Sequence, residues 1–187
     1  MKTRAILHLI LLALVSWSCE QAPSELMEVF VIRAGNHYAD QRQMESLQSN
    51  ILFFKARFDS TAIYDFESAY WQDSKNKLLG FSDCNSLHHV NSARYAWQWN
   101  NNQLEIYAYC YVQGVRNEAF LGTVAIGETA TYLLEINPHA YVFTFKGKRL
   151  EIERKSDCNV GVYQMLWPYF GGQIPAPHDV RIYLKRF

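Results

Sequence analysis

The sequence predicts an all-β chain, an antiparallel two-sheet β-sandwich of jelly-roll type. Three observations carry that expectation. Twelve Tyr, eleven Phe and five Trp raise aromatic content to 15% of 187 residues, and these residues, with Val, Ile and Thr, suit a pleated, half-buried surface. Apolar residues recur with period two or in short unbroken runs. Turn-forming residues separate those runs at hairpin spacing, which points to stacked sheets joined by antiparallel connections.

Taken in order, strands are expected over 28–33, 51–58, 62–66, 77–82, 92–99, 104–112, 119–126, 131–136, 141–145, 149–153, 161–166 and 180–187. The intervening turns are Asn100-Asn101-Asn102, Gln113-Gly114, Asn137-Pro138-His139, Lys146-Gly147-Lys148 and Gly171-Gly172. One helix is expected over 40–48, with Asp40 and Gln43 placed as a capping box. No repeat or second linker divides residues 27–187, which form a single domain.

The first eighteen residues read as a signal peptide. Lys2 and Arg4 precede an apolar run from Ala5 to Val15, too short for a spanning helix. Cys19 follows directly, then a polar tether through residue 26, an arrangement that resembles a bacterial lipoprotein signal. That resemblance implies a lipidated Cys19 and a membrane partner through the lipid anchor. Ser16 and Ser18 also satisfy the small-x-small rule for ordinary cleavage into a soluble form. Removing Lys2 and Arg4 from 18 basic residues leaves 16 against 18 acidic ones, a net charge of −2, which argues against a nucleic-acid partner. Cys84 and Cys158 each follow an Asp in a turn-like stretch and are expected to pair, closing a long loop in an oxidising compartment. Cys110 shares the parity of Leu104 and Ile106 and is expected to be a buried small hydrophobe.

One hairpin fixes a surface. With Asn100-Asn101 as the loop, Trp97 opposes Leu104 and Tyr95 opposes Ile106; a four-residue loop keeps the same faces together. Because a one-residue slip would invert every side chain, Tyr95, Trp97, Trp99, Leu104, Ile106 and Cys110 are assigned to the core. The other face then carries Arg94, Gln98, Glu105, Tyr107, Tyr109 and Tyr111, with Arg94 beside Tyr107. The three tyrosines stand ~7 Å apart along the strand. Flat aromatics, a guanidinium and amides are the chemistry of a sugar-binding groove; the alternative is an ordinary face covered by another layer.

His88, near the sheet end, and His178, ahead of the last strand, are placed at the mouth of that groove. His88 and His89 are adjacent, so on an extended backbone they point to opposite sides. No spaced metal-ligand set, Gly-x-Ser-x-Gly elbow or glycine-rich nucleotide motif occurs, and no metal or cofactor is expected. No pair of carboxylates is nominated for glycosidase chemistry.

Phe81-Ser82-Asp83-Cys84, His88-His89, Asn91-Ser92-Ala93-Arg94, Tyr107-Ala108-Tyr109 and Tyr169-Phe170-Gly171-Gly172 together resemble stretches of small exported bacterial lipoproteins with a jelly-roll or concanavalin A-like sandwich. The resemblance covers about a third of the chain; it implies the fold and compartment and, by analogy, a link to glycans. Three functions follow in order of preference. The first is an anchored sandwich that binds a carbohydrate or similar polar ligand on the aromatic face. The second is a polysaccharide lyase or other glycan-degrading enzyme, with a histidine and a tyrosine moving protons. The third is an assembly lipoprotein whose aromatic face is a partner interface.

Overall fold

The computed structural model describes residues 26–156, 158 and 163–187. The expected signal peptide, Cys19 and nearly all of the tether lie outside these residues. Among the described residues no helix is long and apolar enough to cross a membrane.

Among the described residues, twelve strands form two six-stranded antiparallel sheets. The first sheet contains β1 (Glu28–Ile32), β3 (Ile51–Phe58), β8 (Thr129–Ile136), β9 (Ala140–Phe145), β10 (Lys148–Glu153) and β12 (Val180–Arg186). Their spatial order is β1-β12-β3-β8-β9-β10. The second contains β2 (Ser46–Leu47), β4 (Asn76–Ser82), β5 (Ser92–Asn100), β6 (Gln103–Val112), β7 (Val115–Val124) and β11 (Tyr163–Leu166), in the order β2-β11-β4-β5-β6-β7. The first and last of these strands, β1 and β12, pair with each other, and the fold is the expected β-sandwich.

The inner faces interdigitate as aromatic layers. Tyr95 on β5 meets Phe54, Tyr132 and Phe143 of the opposite sheet edge-on at 5.0–5.8 Å. Its hydroxyl lies 2.7 Å from the Leu133 carbonyl and 2.9 Å from that of Thr144. A tyrosine at this depth thus fills the core and has a hydrogen-bond partner for its polar tip. Trp97, Leu104, Ile106 and Cys110 are buried as expected, Cys110 as a free thiol; Trp99 packs at the core margin.

Cys84 and Cys158 form the expected disulfide, with 5.6 Å between their Cα atoms. Beside it lies a buried ion pair: Arg154 donates from Nε to Asp83 Oδ2 at 2.7 Å and from Nη2 to Oδ1 at 3.0 Å. Tyr141 adds a hydroxyl bond to Oδ2 at 2.6 Å. The same Arg154 Nη2 reaches the Cys158 carbonyl at 2.8 Å, so the ion pair and the disulfide brace one end of the sandwich together.

Three expectations are corrected. The helix over 40–48 is absent: Asp40 pairs with Arg33 instead of capping, Gln41 accepts from the Val31 N–H, and Ser46–Leu47 joins β11 as a short strand. A four-residue helix, Ala69–Gln72, occurs instead. The strand over 62–66 is replaced by a 3-10 turn at Ser60–Ala62, capped by Asp59 accepting from Thr61 N. The alternating Tyr64 and Phe66 pack against Phe170 from a loop, which shows that period-two burial does not require a paired strand. Finally, the β5–β6 turn is Asn101-Asn102, both at positive φ (49° and 56°), as a two-residue hairpin demands. Trp97 therefore opposes Ile106 rather than Leu104, and Arg94 opposes Tyr109 rather than Tyr107; the two faces keep their expected members.

Candidate functional site

The outer face of the second sheet carries a cleft of ≈ 1210 Å³. Its floor follows from register. Across β4 to β7 the outward residues form lateral rows: Ser82, Ser92, Tyr111 and Arg116; Gly80, Arg94, Tyr109 and Glu118; Lys77, Ala96, Tyr107 and Phe120. Small residues at 80 and 96 leave room beside the long side chains of Arg94 and Lys77. The walls come from the segments around Tyr38–Met44, Ala69–Lys75 and Gln164–Gln173, and from the turn bearing His88 and His89.

Lys77 faces this cleft because β4 is irregular. The pairing shifts between Lys77 and Gly80, so Leu78 and Leu79 both enter the core, and residues three apart share the outer face. Strict alternation would have grouped Lys77 with core-facing Phe81. The adjoining segment is fixed on the same strand: Tyr169 exchanges backbone hydrogen bonds with Lys77 at 2.8 and 3.0 Å. Asn76 Oδ1 accepts from Gly171 N at 2.5 Å. Gly171, at φ +62°, has no space for a Cβ, which would stand 2.3 Å from the Ile174 carbonyl oxygen. The Tyr169-Phe170-Gly171-Gly172 stretch therefore acts as a clamp that seats the wall of the cleft.

The electrostatics of the floor are unusual. Arg94 is only 6% exposed, and among the described residues it has no acidic partner; its Nε is buried without a hydrogen bond. The guanidinium lies 5.6 Å from the Tyr109 ring centre. Burial lowers its pKa, against the opposing effect of Tyr109 and Tyr111. Lys77, 8% exposed, donates from Nζ to the carbonyls of Lys75 at 2.7 Å and Gly171 at 2.9 Å. Burial, then Arg94 and Arg116, bring it down to about 7, with Glu118 opposing. Tyr109 is pushed up to about 12 by burial and by its hydrogen bond with Tyr111, and Arg94 and Arg116 pull it back. His88 falls to about 4 through burial and the charges of Arg94, His89 and Lys77. At neutral pH it is an uncharged imidazole.

Of the residues singled out from the sequence, Arg94, Tyr109, Tyr111 and His88 line this one cleft. Gln98, Glu105 and Tyr107 form a separate cluster further along the same face. Glu105 Oε2 accepts from Gln98 Nε2 at 2.5 Å and from the Tyr107 hydroxyl at 2.7 Å, and Tyr107 packs edge-on against Phe120. His178 lies elsewhere, in a smaller cavity of ≈ 600 Å³ with Gln72 and Trp99, its Nε2 2.9 Å from the Thr61 carbonyl. His88 and His89 both reach the cleft, ring centres 4.0 Å apart. They sit in a turn rather than on extended backbone, so the opposed geometry expected of neighbours does not arise. Lys77, Arg116 and Tyr169 were missed from the sequence. The irregular pairing in β4 concealed Lys77, and nothing local ties Tyr169 to a strand more than eighty residues earlier.

Asp83, Cys84 and Cys158 have potential ligand atoms within 4.8 Å of one another, but both sulfurs are in the disulfide and Asp83 holds Arg154. That cluster has no free donor set for an ion. The cleft itself is cationic and aromatic, suited to an anionic ligand.

The sequence matches no protein-family model and no curated protein. Its fold is similar to that of alginate lyase AlyC3 (TM-score 0.60, 11% identity, covering 86% of this chain and 74% of that one). It is similar also to the same lyase in complex with dimannuronate (TM-score 0.56, 12% identity, 86% and 74% coverage). A third similar structure is SCLam, a non-specific endo-β-1,3(4)-glucanase from family GH16 (TM-score 0.51, 10% identity, 86% and 69% coverage). At such identities the likeness is one of fold: this chain is a jelly-roll sandwich of the kind those glycan-active proteins use.

Proposed function

We propose that this protein is an exported, lipid-anchored β-sandwich that binds an acidic polysaccharide in the cleft of its second sheet. Arg94 carries the reading. A buried guanidinium without a counter-ion is costly, and a planar carboxylate entering the cleft relieves that cost through charge-assisted hydrogen bonds. Lys77 and Arg116 add positive charge, while Tyr109, Tyr111 and Tyr169 offer ring faces and hydroxyls to a sugar. The fold neighbours support a glycan ligand by analogy only. Export is supported by the disulfide and by the leader-like first eighteen residues.

The test is affinity electrophoresis of the purified protein through polyuronate and neutral-glucan gels, with Arg94→Met alongside. Retardation by polyuronate alone, lost in the variant, is the expected result. Equal retardation by neutral glucan, or retention unaffected by the substitution, contradicts the reading.

A second reading, glycan cleavage, is favoured by one observation. Uncharged His88 and the protonated Tyr109 hydroxyl share the cleft with Arg94, a set able to move protons next to a neutralised carboxylate.

A further inference from the structure

Lys77 is a buried amine whose surroundings hold it by only two of its three donor positions. The two acceptors are backbone carbonyls, those of Lys75 and Gly171. A neutral amine donating two hydrogen bonds keeps one lone pair, and Lys77 lines the open cleft, where that lone pair has a ligand to face. The charged groups around it are Arg94 on β5 and Arg116 and Glu118 on β7, with the uncharged His88 imidazole in the turn; the Tyr109 ring centre on β6 is 5.1 Å from Nζ, and that of Tyr169, on the segment paired with Lys77, is at 5.8 Å. No carboxylate among the described residues pairs with it. A lysine kept for structure is usually held by an acid or extends to water; this one has neither.

We infer that Lys77 is the catalytic base of the cleft, and that the protein cleaves an acidic polysaccharide by β-elimination. The inference rests on the acidic-glycan reading of Arg94 and on the cleavage reading beside it, and adds to them one residue: the base is Lys77, where the sequence offered a histidine.

In the step, Arg94 holds the sugar carboxylate, which makes the adjacent ring C–H acidic. The Lys77 lone pair takes that proton. The C–H electron pair forms a C=C bond within the sugar ring, and the C–O bond to the neighbouring sugar breaks. The departing oxygen receives the proton of the Tyr109 hydroxyl, and the lysine ammonium then returns a proton to Tyr109. No oxidant, reductant or water is consumed, and the products are an unsaturated uronide and a free hydroxyl. Burial and the flanking guanidinium groups bring the Lys77 pKa to about 7, near the pH at which a general base is most effective.

The test combines cleavage and binding on polymannuronate, polyguluronate and polygalacturonate, reading unsaturated product by ultraviolet absorbance and affinity by calorimetry. Wild type is compared with Lys77→Met, Lys77→Arg and His88→Gln, with each fold checked by thermal melting. Arg keeps the charge and cannot act as a base. The expected result is product from wild type, rising as pH passes upward through about 7, and a loss of ~100-fold or more in kcat in both Lys77 variants, with Lys77→Arg binding within a few-fold of wild type. Binding without product from wild type overturns the inference and leaves the binding reading intact. Product from Lys77→Met at the wild-type rate, or loss confined to His88→Gln, overturns it in favour of His88 as base. No binding of any polyuronate overturns both readings. Where Lys77→Met does not fold, Lys77→Arg and the wild-type pH profile decide: a profile flat from pH 5 to 9 overturns the inference.

Discussion

Gly80 lies directly opposite Arg94 across β4 and β5, and a Cβ at position 80 would stand 2.5 Å from the Arg94 Cα and 2.0 Å from the Ala93 carbonyl oxygen. The missing side chain is what allows a long cation to lie flat on the sheet. Gly80→Ala is therefore expected to cost about 3 kcal/mol or more of stability and to lower polyuronate affinity. Gly172→Ala, whose Cβ would meet only Ser74 Oγ at 3.5 Å, should melt close to wild type. Chemical denaturation of the two variants checks the contrast; equal stability would remove Gly80 from the account of the site.

The Asp83–Arg154 pair should set the acid limit of the fold. Burial alone would push the Asp83 carboxyl up, but the bonds from Arg154 and Tyr141 hold it below the ordinary value. A depressed carboxylate contributes stability that is complete above the unfolded pKa of ~4 and is lost as pH falls through the folded one. Asp83→Asn should destabilise by about 3–5 kcal/mol near neutral pH, because Arg154 is left buried and unpaired. It should also flatten the acid limb of a urea-midpoint series taken from pH 6 to pH 2.

Opening the Cys84–Cys158 bridge, which spans 74 residues of sequence, should cost about 4 kcal/mol in the chain-entropy model. Reduction under native conditions, or a Cys84→Ser/Cys158→Ser double variant, measured by urea unfolding, gives the number. An unchanged midpoint would mean that the Arg154 brace alone holds that end of the sandwich.

Lys77 makes affinity depend on pH. Its folded pKa of about 7 means the ammonium is present below that value and absent above it, whereas Arg94 and Arg116 stay charged. Polyuronate affinity should weaken as pH rises from 6 to 8.5, and Lys77→Met should bind weakly with little pH dependence. The same group carries a stability effect of known sign. A lysine with a depressed folded pKa opposes folding most below about pH 7, where both states are charged, and this opposition fades as pH rises toward the unfolded value.

Much of this was legible in the chain because burial leaves a two-residue rhythm. That rhythm alone turns Trp97, Ile106 and Cys110 inward and Arg94, Tyr109 and Tyr111 outward. The exact cross-strand neighbours were not legible, since two loop lengths preserve the same faces; only the left-handed Asn101-Asn102 turn puts Arg94 against Tyr109. Lys77 was hidden for a different reason: an irregular strand breaks the rhythm at that point. The expected helix over 40–48 failed because tertiary bonds from Arg33 and Val31 claimed Asp40 and Gln41, the start of the expected helix.

The measurement that bears most directly on the central claim is Arg94→Met, followed by melting and by calorimetric titration with polyuronate on one sample. Removing an unpaired buried charge should raise the melting temperature, by about 1 kcal/mol or more in free-energy terms, while polyuronate affinity falls at least about tenfold. A site held in reserve for an anion gives both changes together. A lower melting temperature with affinity unchanged would instead make Arg94 part of the scaffold and leave the cleft without its anchor.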